Sequence, residues 1–176
     1  MSFIVLFSLA ILLVVFGYLR THMKASRLAR LSWDDLLSRL EPVSMDGISS
    51  VALDYLQPSK GQLQIGTAEM WFLIGEDEGV RRMYANAEVL IALAGYAQRW
   101  NPLESAIVGE RMRRDGLTLR RAALRLSLGS LSGHDVIHGP FNVQEAASAY
   151  YLMRQRLLAL YETSHAGRYP RLAAAL

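Results

Sequence analysis

The chain has 176 residues, 52% of them hydrophobic, with a formal net charge of +3 and no cysteine. That length fits one membrane segment plus one domain of about 100 to 150 residues, and the missing cysteine excludes disulfides, thiolate zinc sites, iron–sulfur clusters and a cysteine nucleophile. The sequence pI of about 9.4 would fit a nucleic-acid or anionic-membrane partner, so the position of the charge decides what it means.

Phe3 to Leu19 is a run of seventeen residues without a charge. As a helix it would measure about 25 Å, just enough for a hydrocarbon core of about 30 Å if the flanks snorkel. A cleaved export signal would show a basic residue ahead of the apolar run and small residues at a cut site. Here the run ends in Tyr18 and Leu19 and is followed by Arg20, so a retained anchor is expected over residues 1–19. Arg20, Lys24, Arg27 and Arg30 all lie after it. Basic flanks stay on the cytoplasmic side, which predicts an outward N-terminus and a cytoplasmic remainder at the cell (inner) membrane. Those four are the basic residues before the first acid, Asp34, which leaves fifteen basic against sixteen acidic residues beyond position 30. The domain itself is nearly neutral, and nucleic acid is not an expected partner because phosphate recognition needs concentrated unpaired charge.

In the juxtamembrane segment 20–43, Ser32 with Asp35 reads as a capped helix start. Trp33, Leu36, Leu37 and Leu40 then form one apolar stripe, closed by Pro42. The stripe suits packing on the domain better than lying on a bilayer. Within 44–176, the pattern predicts a helix over Asp46 to Leu56, a turn at 57–61, and a helix opened by Thr67 and stopped at Gly75. A longer helix follows from Glu76 to about Trp100, with Val80, Met83, Tyr84, Ala87, Leu90, Ile91 and Ala94 facing inward. Asp77/Arg81 and Glu78/Arg82 have i, i+4 spacing for ion pairs. Asn101-Pro102 should open a further helix running past Arg125, with a strand over Leu124 to Leu128 as an open alternative. The glycines and proline of 132–140 predict a loop. Asn142 and Glu145 then resemble a capping box for a last helix to about Ser164, with Ala146, Tyr150, Met153, Leu157, Leu160 and Tyr161 inward and His165 to Gly167 as its end. The fold class is all-α: a single N-terminal transmembrane helix followed by a helical bundle of about five helices.

Chemistry-bearing clusters are few. His134, Asp135 and His138 are the candidate metal ligands, with Glu145 nearby in sequence, yet the flanking glycines fix no geometry and a solvated loop is the preferred reading. Glu162 and His165 form one Glu-x-x-His element where a di-iron bundle needs two, so His165 reads as a last-turn residue. Arg111, Arg113, Arg114, Arg120, Arg121 and Arg125 scatter over two flanks of their helix and read as an ion-paired solvated face, with docking of an acidic partner or of inner-leaflet headgroups as the alternative. Trp71, Phe72, Trp100, Tyr150 and Tyr151 fall at core spacing. There is no phosphate loop, dinucleotide fingerprint, zinc-protease motif or nucleophile elbow, so no cofactor is expected. The expected function is that of a non-enzymatic scaffold or accessory subunit. It would be held in the lipid bilayer through residues 3–19 and dock a protein partner or a second copy at the cytoplasmic face. The alternative is a membrane-attached enzyme or a small-molecule or metal binder using the His134/Asp135/His138 loop.

Overall fold

The computed structural model describes residues 7, 23, 26–58, 64–132 and 135–176, with the side chains of 128–139 outside the description. Residues 26–28 are helical, and after them come seven helices among the described residues, with no strand: α1 (Trp33–Leu37), α2 (Met45–Leu56), α3 (Thr67–Leu73), α4 (Glu76–Ala97), α5 (Pro102–Ser132), α6 (Asp135–Ser164) and α7 (Tyr169–Ala175). The all-α expectation holds. The apolar run at 3–19 lies outside the described residues apart from Phe7, as do Arg20 and Lys24. Among the described residues no helix is long and apolar enough to cross a membrane.

α1 forms as its sequence dictates. The Ser32 hydroxyl accepts from Asp35 N at 3.2 Å while the Asp35 carboxylate accepts from Ser32 N at 3.3 Å, which satisfies two of the free donors at the helix start. The Ser32 hydroxyl also donates to the Asp35 carboxylate at 2.6 Å, and this bond, with the one from Ser32 N, holds the Asp35 carboxyl below its ordinary range. Trp33 and Leu36 are buried and Leu37 and Leu40 pack against the core, so the stripe lies on the domain. At the other end of that segment, Asn86 reads the Glu41 backbone in both directions, accepting from its N–H at 2.8 Å and donating to its carbonyl at 2.8 Å.

The core is built by α4, α5 and α6, with α2 against α6. All six residues expected on the inner face of α6 are buried. On α4, Val80, Met83, Ala87, Leu90 and Ala94 are buried, while Tyr84 and Ile91 are half-buried. Burying each large aliphatic side chain contributes about 1.5–3 kcal/mol against the entropy of ordering the chain. Between α5 and α6 a partly buried Arg156–Asp115 ion pair joins the two longest helices. Gly75, at φ 84°, and Glu76, at φ 56°, turn the chain sharply from α3 into α4, and glycine takes that left-handed conformation without strain.

Several expectations need correction. Residues 135–140 are not a loop: α6 starts at Asp135 and carries Pro140 inside it. Asn142 therefore sits within the helix, buried, and caps nothing. Local propensity is a weak prior, and here the helix runs through its breaker signal. Leu124 to Leu128 belong to α5, which closes the strand alternative. α7 is an additional helix with Pro170 in its first turn, where proline's missing N–H costs nothing. Arg81 pairs with Glu78 at 2.7 Å and with Glu41 at 3.0 Å instead of with Asp77, while Glu78–Arg82 forms as expected at 2.9 Å. Phe72 is 74% exposed and so is not core, and Trp100 lies partly at the surface.

Candidate functional site

Of the predicted metal set, His134 and the side chains of Asp135 and His138 lie outside the described residues. Among the described residues, no three His, Asp or Glu side chains come together to hold a metal ion. Glu145 is engaged elsewhere, accepting from Arg125 at 3.3 Å. Glu162 is exposed, and the His165 ring packs edge-on against Trp100 with centroids 4.5 Å apart. Neither arrangement is a di-iron ligand geometry.

Where residues 26–43 meet the rest of the domain, three aromatic rings surround one cation. Arg168 stands 5.0 Å from the Trp33 ring, 5.3 Å from Tyr96 and 4.9 Å from Trp100. Arg171 also faces Trp33, at 5.0 Å, and bonds Asp34 at 2.7 Å. A guanidinium over an indole face is attracted by the ring quadrupole, by about 2 kcal/mol when desolvated. Beneath this cluster, Trp33 Nε1 donates to the Tyr161 hydroxyl at 3.1 Å, which in turn donates to the Leu93 carbonyl at 3.0 Å. Burial pushes the Tyr161 hydroxyl up to about 12. The cluster thus pins the first and last helices of the domain onto α4 and α6, and its cation is supplied by the chain itself.

Beside it lies a cleft of about 570 Å³. Its apolar walls come from the segment before α1 (Leu28, Ala29), α1 (Leu36) and α4 (Ile91, Ala92), with Arg99, Arg113 and Glu88 as its charged lining. Gly95 opens one wall, for a Cβ built there meets nothing within 4 Å. Arg99 reaches across Tyr96 at 4.1 Å. Arg27 and Arg30 are exposed on either side of the lining residues Leu28 and Ala29.

A second feature is the outward face of α5. Leu103, Ile107, Leu117 and Leu124 are 76%, 51%, 52% and 58% exposed. At about 100° per residue these four fall within a stripe about 100° wide, opposite the buried Met112, Leu119 and Leu126. Leu124 also lines a cleft of about 530 Å³ between α4 and α5, with Val80, Tyr84 and Arg120. The arginines expected on this helix are in part ion-paired, Arg113 and Arg114 with Glu110 at 3.7 and 3.2 Å and Arg125 with Glu145 at 3.3 Å. Arg111, Arg120 and Arg121 are exposed. The stripe was legible at helical spacing in the sequence, but the dense arginines drew the reading to charge.

No family model, no curated protein and no solved structure matches the chain.

Proposed function

We propose that the chain is a single-pass membrane protein, anchored through residues 3–19 with its N-terminus outward, whose cytoplasmic helical domain docks a protein as a non-enzymatic scaffold or accessory subunit. The observation that carries this reading is the apolar stripe of α5. Single exposed leucines are ordinary on protein surfaces, whereas an aligned set on the face opposite the core is the form of a helix-docking surface. Leu124 at the rim of the neighbouring cleft supplies a hollow into which a partner side chain could seat, as interface anchors require. Tethering would raise the effective concentration of the domain for any partner at the same membrane without new contacts.

Affinity purification of the full chain in mild detergent after cross-linking in cells tests the proposal, with a Leu117→Lys/Leu124→Lys double variant alongside. The partner or second copy should co-purify with the parent chain and be lost with the variant. The variant's folding stability should stay within about 0.5 kcal/mol per substitution, as expected for exposed sites. A lone monomer with no cross-linked species, or a variant that retains the partner in full, would contradict it.

A further inference from the structure

The exposed stripe of α5 carries a charge pattern that its apolar residues do not explain. Measured from Leu103 at about 100° per residue, Ile107, Leu117 and Leu124 stand at about +40°, −40° and −60°. Arg121 and Arg114 fall among them, at about 0° and +20°, while Arg111 and Arg125 border one side and Arg113 and Arg120 the other. All of these arginines are exposed. Glu110, at about −20°, is the one carboxylate inside that face, and it already meets Arg114 at 3.2 Å and Arg113 at 3.7 Å. The neighbouring acids lie further round the helix and are engaged, Glu104 by Asn101 and Asp115 by Arg156. Arg125 meets Glu145 at 3.3 Å, but among the described residues no ion pair engages Arg111, Arg120 or Arg121.

A line of aliphatic side chains with surplus cations down both sides is complementary to an amphipathic helix whose apolar ridge is bordered by carboxylates. From Leu103 to Leu124 the stripe runs about 32 Å, the length of a partner helix of about 21 residues. Other occupants match the face less well. A second copy would set this basic surface against itself, and like charges across an interface cost affinity. Nucleic acid would lay phosphates along a row of leucines that offers them no partner. An anionic bilayer would meet Glu110 in the middle of the stripe, a carboxylate against acidic headgroups.

We infer that the α5 face binds an acidic amphipathic helix of a partner protein, with Leu117 and Leu124 against its apolar ridge and Arg120 and Arg121 on its carboxylates. The inference rests on the docking role proposed above and adds the charge and the secondary structure of the partner. Arg120 and Leu124 both line the cleft between α4 and α5, so a cation and an apolar anchor stand at the same hollow.

The probes are two synthetic helical peptides of about 21 residues with leucine at the spacing of the stripe, one bordered by glutamate and the other by lysine. Full chain in mild detergent is titrated with each and binding is read by fluorescence anisotropy. The glutamate peptide should bind at least about tenfold more tightly than the lysine peptide, and less tightly as salt rises. Arg120→Glu/Arg121→Glu should cut that preference at least about tenfold, weakening the glutamate peptide and strengthening the lysine peptide, a gain that a misfolded domain would not show. Equal binding of the two peptides, binding of neither, or a preference untouched by the charge reversal would overturn the inference. So would quenching by brominated phosphatidylglycerol of a bimane label at Leu117→Cys in proteoliposomes, since the stripe would then lie on the bilayer. Cross-linking in cells separates this inference from the docking role. A cross-linked species lost with Leu117→Lys/Leu124→Lys but kept with Arg120→Glu/Arg121→Glu, or one made of two copies of the chain, sinks the acidic partner alone. A species kept with both variants sinks the docking surface beneath it.

Discussion

Tyr161 shows how much a single buried hydroxyl can organise. It accepts from Trp33 on α1 and donates to the Leu93 carbonyl on α4, so three segments distant in sequence meet at one oxygen. Tyr161→Phe leaves the indole N–H buried without an acceptor and should cost about 1–3 kcal/mol at neutral pH, measured as a shift in the urea unfolding midpoint. The same hydroxyl gives a pH signature. Its folded-state pKa is raised to about 12, whereas an unfolded tyrosine ionises near 10. The folded chain therefore holds the proton longer. Stability is full below about pH 10 and falls as pH rises towards 12. Unfolding midpoints followed from pH 8 to 11.5 should decline less steeply in Tyr161→Phe than in the parent. Part of the decline should remain, because burial raises Tyr150 as well. At this scale the sequence disclosed what is local. The Ser32/Asp35 cap needs only residues three apart. It did not disclose Gly47, where α2 passes so close to the end of α3 that a Cβ would drive into the Leu73 carbonyl. Nor did it place Phe72 outside, since helical spacing alone does not say which stripe faces the core.

Among the elements, α6 is the one whose start the sequence misplaced. Gly139-Pro140 is a strong local stop, yet the helix runs through it from Asp135. Pro140 lacks the N–H that would bond the Val136 carbonyl, and its ring crowds that carbonyl. Pro140→Ala should accordingly raise stability by about 1 kcal/mol or more, read as an increase in the thermal unfolding midpoint; a decrease would mean that residues 135–140 are better described as the loop their composition suggests. The ambiguity over 124–128 has a simple geometric origin. Leu124 and Leu126 are two residues apart, which places them about 200° apart on a helix. One is therefore exposed and the other buried, 58% against 4%, and the pattern imitates a strand over so short a window. α4, with more than five turns of consistent apolar period, left no such ambiguity.

For the whole molecule, charge and hydropathy divide the chain into a basic, apolar N-terminal part and a nearly neutral helical body. The juncture between them is cross-tied by contacts distant in sequence. Arg168 and Arg171 bring the C-terminal turns onto Trp33 and Asp34, and Asn86 fixes Glu41. The candidate site was less legible than the fold because neither the cleft nor the Arg168 cluster is contiguous. Each is assembled from residues 26–36, α4 and later segments, a convergence that no spacing rule encodes. Everything functional in the account depends on a retained span with the domain on the cytoplasmic side. The absence of cysteine makes this directly measurable, since one introduced thiol is the sole target for a membrane-impermeant maleimide. Ser2→Cys and Glu162→Cys chains are labelled in intact cells and again after permeabilisation. Position 2 should react in intact cells and position 162 only after permeabilisation; labelling of position 162 in intact cells, or protection of both positions until lysis, would rule out that topology.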